Sequence, residues 1–291
     1  MQFGAAFPFM LALSAISALA YGLYFLRRPE SIVRALVKTG LMGGLALAFI
    51  GTPGPLVIAL FAAALGDFFL AFEKRPWGLP LGMLAFLIMQ VGYIFSLFFI
   101  WLLAGDGAPL WPRYALMALV VVSIGTYLVF FWRDPDRKGS APLAVAAVLG
   151  ALTLGAAPLV AAALGFATSF ADAPNWTPLD IALFFAILAA AAFFMWLRRD
   201  LGLIKLGGMT YAAIIAQMAL ISFWAPWAGW MVMLGALLFL ISDGVLSWEL
   251  FRMREDAPAR RITAPAVWWT YAAAQWLIVW GMMFAARASF V

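Results

Sequence analysis

Apolar residues run along this chain in blocks of about twenty, broken by short clusters of charge or by Pro and Gly, without sustained alternation of apolar and polar positions. A helix of about 20 residues crosses the hydrocarbon of a bilayer and satisfies its own backbone there, whereas barrel strands would be about ten residues long and alternate in polarity. Cutting at the breaks predicts ten membrane helices: 3–26, 32–50, 55–72, 79–103, 112–132, 141–166, 178–197, 203–224, 226–248 and 264–287. The expected fold class is all-α, a polytopic integral membrane helical bundle forming a single transmembrane domain over 1–291. Helices eight and nine are separated by little beyond Ala225-Pro226, which predicts a tight turn, and helix six is rich enough in Ala and Gly to pack deeply or to be partly re-entrant. The first block has no basic residue until Arg27 and Arg28, so it reads as a retained helix and not as a signal peptide.

Loop charge gives an independent check, because every second join should be basic if the segmentation is right. Arg27, Arg28, Arg34 and Lys38 surround the first join, Lys74 and Arg75 the third, Arg133, Arg137 and Lys138 the fifth, Arg198, Arg199 and Lys205 the seventh, and Arg252, Arg254, Arg260 and Arg261 the ninth. The other side holds Arg113 and Arg287 with Asp106, Asp172 and Asp180. Both termini are therefore expected to face away from the cytoplasm, in a bacterial inner membrane.

Composition narrows the chemistry. The chain is 67% hydrophobic and 11% charged, against roughly a quarter charged in soluble domains, which excludes both a soluble fold and disorder. It has no Cys and no His, so thiolate nucleophiles, disulfides and the commonest metal ligand are missing, and neither a metal nor another cofactor is expected. The net charge of +5 is spread over short loops, so no nucleic acid partner is expected. Chemistry is left to carboxylates, amines, hydroxyls and amides.

An ionisable side chain at mid-membrane costs roughly 2.5 to 3.5 kcal/mol on insertion scales, so each one asks for a partner or a role. Asp67, in Leu65-Gly66-Asp67, and Asp243, in Ser242-Asp243-Gly244, are the two acids clearly inside predicted helices. Each lies five residues before its helix end, about 7 to 8 Å deep at a rise of 1.5 Å per residue, on helices running in the same direction. Lys38 is the natural countercharge. Gln90 and Tyr93 share one helix face, as do Tyr271 and Gln275, and these four with Tyr211 fall between the carboxylate level and mid-membrane. Amides and phenols also bridge membrane helices without further purpose, but seven such groups besides Lys38 at compatible depth point to a site. Gly40, Gly43, Gly44 and Gly66 are expected to permit close helix approach.

At these residues the sequence resembles the YhhN-like lysoplasmalogenase family. The matching pieces are Lys38, Leu65-Gly66-Asp67 with Leu70, Gly82 to Tyr93, Tyr211 with Met218, Gly235 to Asp243, and Thr270 to Gln275. Resemblance is good over 32–103 and 203–285 and poor across about 112–197. The family's usual His three residues before the fourth-span Tyr is Gln90 here, and the Pro that often follows its Lys is Thr39. An eight-helix family core with an extra pair would account for ten helices. The resemblance implies hydrolysis of the vinyl ether bond of a lysoplasmalogen to a fatty aldehyde and glycerophosphoethanolamine or glycerophosphocholine, the partners being that lysophospholipid and membrane lipid. The residue types suit it: vinyl ethers cleave by protonation at carbon and attack of water on the oxocarbenium ion, which two carboxylates in different protonation states can serve. Asp67 and Asp243 are the expected catalytic pair, Asp67 ionised beside Lys38 and Asp243 protonated. Lys38, Gln90, Tyr93, Tyr211, Tyr271 and Gln275 would orient substrate and water. The alternatives are a proton-coupled transporter and a non-catalytic lipid-binding membrane protein.

Overall fold

The computed structural model describes residues 5–52, 54–104, 203–251, 253–254 and 256–288. These contain seven α-helices and no strand among the described residues. In chain order they are α1 (Phe7–Ala20), continued by a π-helical turn Tyr21–Phe25, then α2 (Ile32–Ala48), α3 (Gly54–Leu70), α4 (Gly78–Ala104), α5 (Leu203–Ser222), α6 (Trp230–Phe251) and α7 (Arg260–Ala288). They stand where seven of the ten expected helices were placed, while the expected 112–132, 141–166 and 178–197 lie outside the described residues. Phe7–Phe25, Gly78–Ile100 and Trp227–Leu250 are long and apolar enough to cross a membrane. Their outer faces expose Phe9, Ile16, Phe95 and Leu234, as a lipid-facing surface requires. This is a membrane protein.

Local rules account for the helix limits. Pro8 opens α1, where a missing N–H costs nothing. Ser31 caps α2 by accepting the Arg34 N–H at 3.2 Å. The tight turn after α5 closes through Ser222 to Pro226 and a single 3₁₀ turn, Trp227–Gly229. Pro265 lies inside α7 and cannot donate to the Arg261 carbonyl, which instead accepts from Arg27 Nη2 at 3.4 Å.

The helices pack as neighbours α1 on α2, α2 on α3, α3 on α4 and α6 on α7, with α4 also meeting α5 and α7. Small residues set the closest approaches. A Cβ on Gly44 would stand 2.7 Å from the Ser14 backbone nitrogen, one on Gly66 2.8 Å from the Phe86 ring, and one on Gly40 would collide with Ser17. The expectation for Gly43 is not met, because its missing side chain faces open space and brings no partner closer. Side chains of Leu41, Leu45, Phe49, Leu60, Met89, Met218, Phe223, Phe239 and Ile278 fill one continuous core.

The π-helical turn has a structural consequence. Its wider winding, with Leu26 N–H donating to Tyr21 O at 2.8 Å, carries Tyr21 inward until it is 3% exposed. The ring of Tyr21 lies 4.3 Å from that of Trp268, and Trp268 Nε1–H donates to the Ala18 carbonyl at 3.0 Å, fixing α1 to α7. Gly22 allows this, since a side chain there would strike Trp268 and Trp269.

Candidate functional site

Asp67 sits in the last turn of α3, behind Gly66, and is 1% exposed. A carboxylate at that depth needs compensation, and two groups supply it. Lys38 Nζ, one and a half turns into α2, lies 3.8 Å from Oδ1, and Tyr271 Oη on α7 donates to Oδ2 at 2.9 Å. The Tyr271 ring is held in turn by Phe86, Phe239 and Trp268, each centred 5.9 Å away. The phenol therefore has one direction in which to point.

Asp243 occupies the matching level of α6. Beside it Ser242 Oγ donates to the Val267 carbonyl of α7 at 2.9 Å, which fixes the rotation of α6 and aims the next side chain inward. Tyr211 Oη from α5 donates to Asp243 Oδ2 at 2.6 Å. The carboxyl is half-buried, and no cationic side chain pairs with it among the described residues.

Both carboxyl groups line one cavity of about 710 Å³, together with Lys38, Tyr211 and Tyr271. The cavity lies at one end of the bundle, where α3 and α6 finish and α2, α4, α5 and α7 begin. Its lining includes the apolar Met83, Phe86, Ile215, Leu237, Leu240 and Ile241 and the charged Arg34, Glu73, Glu249 and Arg260. An acidic pair with phenol donors beside an apolar wall can move a proton, hold a water and stabilise a developing cation.

The other three expected residues lie elsewhere. Tyr93 Oη donates to Gln275 Oε1 at 2.6 Å, and Gln275 Nε2 to Met89 Sδ at 3.4 Å, a buried link between α4 and α7 one turn beyond Tyr271. Gln90 is fully buried, and neither atom of its amide has a hydrogen-bond partner among the described residues. None of the three lines the cavity. Gln90 and the Tyr93–Gln275 pair thus form a layer behind the acids.

Tyr21, Trp268, Arg34 and Glu249 also line the cavity, and none of the four is among the expected site residues. The signal for Arg34 was its spacing, one turn before Lys38 on the same face of α2. Glu249 was excluded because helix nine was ended at 248, whereas α6 runs to Phe251 and keeps Glu249 inside, 5% exposed and accepting from Thr263 Oγ1.

Comparison with known proteins adds one finding. The family model described as the YhhN family matches residues 33–157 and 148–282. These ranges include 112–197, where residue-by-residue resemblance was poor. No curated protein and no solved structure matches the chain. With the matched ranges together running from the start of α2 to the last turns of α7 and through every residue of the acidic site, the chain belongs to the YhhN family.

Proposed function

We propose that this protein is a membrane hydrolase that cleaves the vinyl ether bond of lysoplasmalogens, releasing a fatty aldehyde and a glycerophospho head group. The observation that carries the reading is the pair Asp67 and Asp243, delivered by separate helices, each held by a tyrosine hydroxyl, facing one cavity with an apolar wall. The lipid chain lies along Ile215, Leu237, Leu240 and Ile241, with the head group toward the basic end of the bundle, which the positive charge assigns to the cytoplasmic side.

The reaction consumes one water. Asp243 in its acid form donates its proton to the alkene carbon remote from oxygen, and the ether oxygen's lone pair completes the oxocarbenium ion. Tyr211 occupies Oδ2 of Asp243, leaving Oδ1 to carry the transferable proton. Asp67, ionised between Lys38 and Tyr271, stabilises the cation and accepts a proton from the attacking water, giving a hemiacetal. Collapse of the hemiacetal transfers a proton to the departing glycerol oxygen, and aldehyde and alcohol leave. The division of labour is that of an acid and a base carboxylate in glycoside hydrolysis, with a C=C bond receiving the proton.

The test is a substrate panel on purified protein: a lysoplasmalogen with ester and saturated-ether lysolipids of the same chain and head group. Aldehyde from the vinyl ether alone is expected. Fatty acid from the ester, or no product from any of the three, would overturn the reading.

A further inference from the structure

The arginines at the acidic end of the bundle can be sorted by what holds them. Arg34 Nη2 donates to Tyr21 Oη at 3.1 Å, and the Arg28 guanidinium lies 4.4 Å over the Tyr24 ring. Arg254 pairs with Asp256 at 3.1 Å. Arg260 donates to the carbonyls of Glu249, Met253 and Arg254, which take its hydrogen bonds but bring no negative charge to offset its own. Arg27 and Arg261 remain, both exposed and neither paired with a carboxylate among the described residues.

These two come from opposite ends of the chain and are held side by side. Pro265 leaves the Arg261 carbonyl without its helical donor, and Arg27 Nη2 donates to it at 3.4 Å. With Arg260 and the turn of Asp256, Ala257 and Pro258, they line an open hollow of about 400 Å³. Asp256 is already neutralised by Arg254, so the charges of Arg27, Arg260 and Arg261 meet there without an anion among the described residues. Like charges so gathered repel one another, and an oxyanion placed between them replaces repulsion with charge-assisted hydrogen bonds.

The hollow adjoins an apolar surface. Leu23, one turn before Arg27, and Ile262, next to Arg261, are both exposed, and Ala266 and Trp269 continue the exposed face of α7 from Ile262 at helical spacing. Trp269 sits against Gly22, where a side chain would strike it, so this surface spans the joint of α1 and α7. An occupant that fits both parts is anionic at one end and apolar behind.

We propose that the joint of α1 and α7 binds an anionic glycerophospholipid of the bilayer, with its phosphodiester between Arg27 and Arg261 and an acyl chain along Leu23, Ile262 and Trp269. The site lies apart from the two acids and does not rest on the hydrolase reading. A planar guanidinium presents paired N–H donors to a phosphodiester. A zwitterionic head group also brings an ammonium ion to a hollow that already holds surplus positive charge, so it binds less well.

The test is lipid binding to purified, delipidated protein in a neutral detergent, read by native mass spectrometry as the bound fraction against lipid concentration. Phosphatidylglycerol is expected to bind roughly tenfold tighter than phosphatidylcholine of the same chains. The Arg261 side chain bonds to no other group among the described residues, so its replacement spares the fold. Arg261→Gln is expected to weaken phosphatidylglycerol roughly tenfold and to leave phosphatidylcholine within about twofold, which also shows the variant folded. Arg28→Gln removes the same charge from the same end of the bundle, outside the hollow, and is expected to change neither lipid. Equal binding of the two lipids by the unaltered protein, or unchanged phosphatidylglycerol binding in Arg261→Gln, overturns the site. An equal loss in Arg28→Gln would show general surface charge and overturns it too. Glycerophosphoglycerol, the head group without chains, is expected not to displace the lipid at equal concentration, and displacement would overturn the acyl chain placement.

Discussion

Asp67 and Asp243 are held differently, and the proposed division into base and acid rests on that difference. Among the described residues, Asp67 has a cation and a phenol, Asp243 a phenol alone. If Asp243 protonates carbon, lysoplasmalogen turned over in deuterium oxide yields aldehyde with one deuterium on the carbon next to the carbonyl, read by mass spectrometry. Aldehyde without that label would place the first proton elsewhere. The Lys38–Asp67 pair makes a second prediction. Removing one partner strands the other in the bilayer-facing core, so Lys38→Met should lower stability by about 3 kcal/mol. Adding Asp67→Asn should recover much of that loss. A double-mutant cycle by denaturation in detergent checks it, and strict additivity would mean the two groups are not coupled.

Helix packing decides whether these side chains meet at all. Gly66 precedes Asp67 and lies against Phe86, which in turn buttresses Tyr271. Gly66→Val should therefore push Phe86 aside, cost about 1 to 3 kcal/mol and lower turnover, while Gly43→Ala, facing open space, should leave both unchanged. Thermal melting and aldehyde release measured side by side distinguish the two. The same contrast explains what was legible beforehand. Helix existence followed from block length, and Asp67, Asp243, Lys38, Tyr211 and Tyr271 stood out because polar groups are rare and costly inside such blocks. Gly40, Gly43 and Gly44 looked alike, because sequence gives the presence of a small residue and not what faces it. Tyr93, Gln275 and Gln90 had the right depth for the site. Depth counts turns along a helix, and the rotation that set them behind the cavity depends on neighbours such as Met89. Tyr21 reached the cavity through a π-helical turn that no apolar period announces.

At the scale of the whole molecule, the described helices gather their Asp, Glu, Lys and Arg side chains at one end, apart from Arg287 at the far end of α7. Six of the helices each bring a side chain to the cavity at that end, and the first chain segment adds Tyr21. The site is thus a property of assembly, since no single helix carries both an acid and its donor: α3 holds Asp67 and α7 its tyrosine, α6 holds Asp243 and α5 its tyrosine. The most direct measurement is aldehyde release from lysoplasmalogen by purified Asp67→Asn and Asp243→Asn variants, each shown by melting to be folded. Loss of at least a thousandfold in both is the expected result, because each removes one half of an acid and base pair. Substantial turnover in either folded variant would contradict two-carboxylate cleavage.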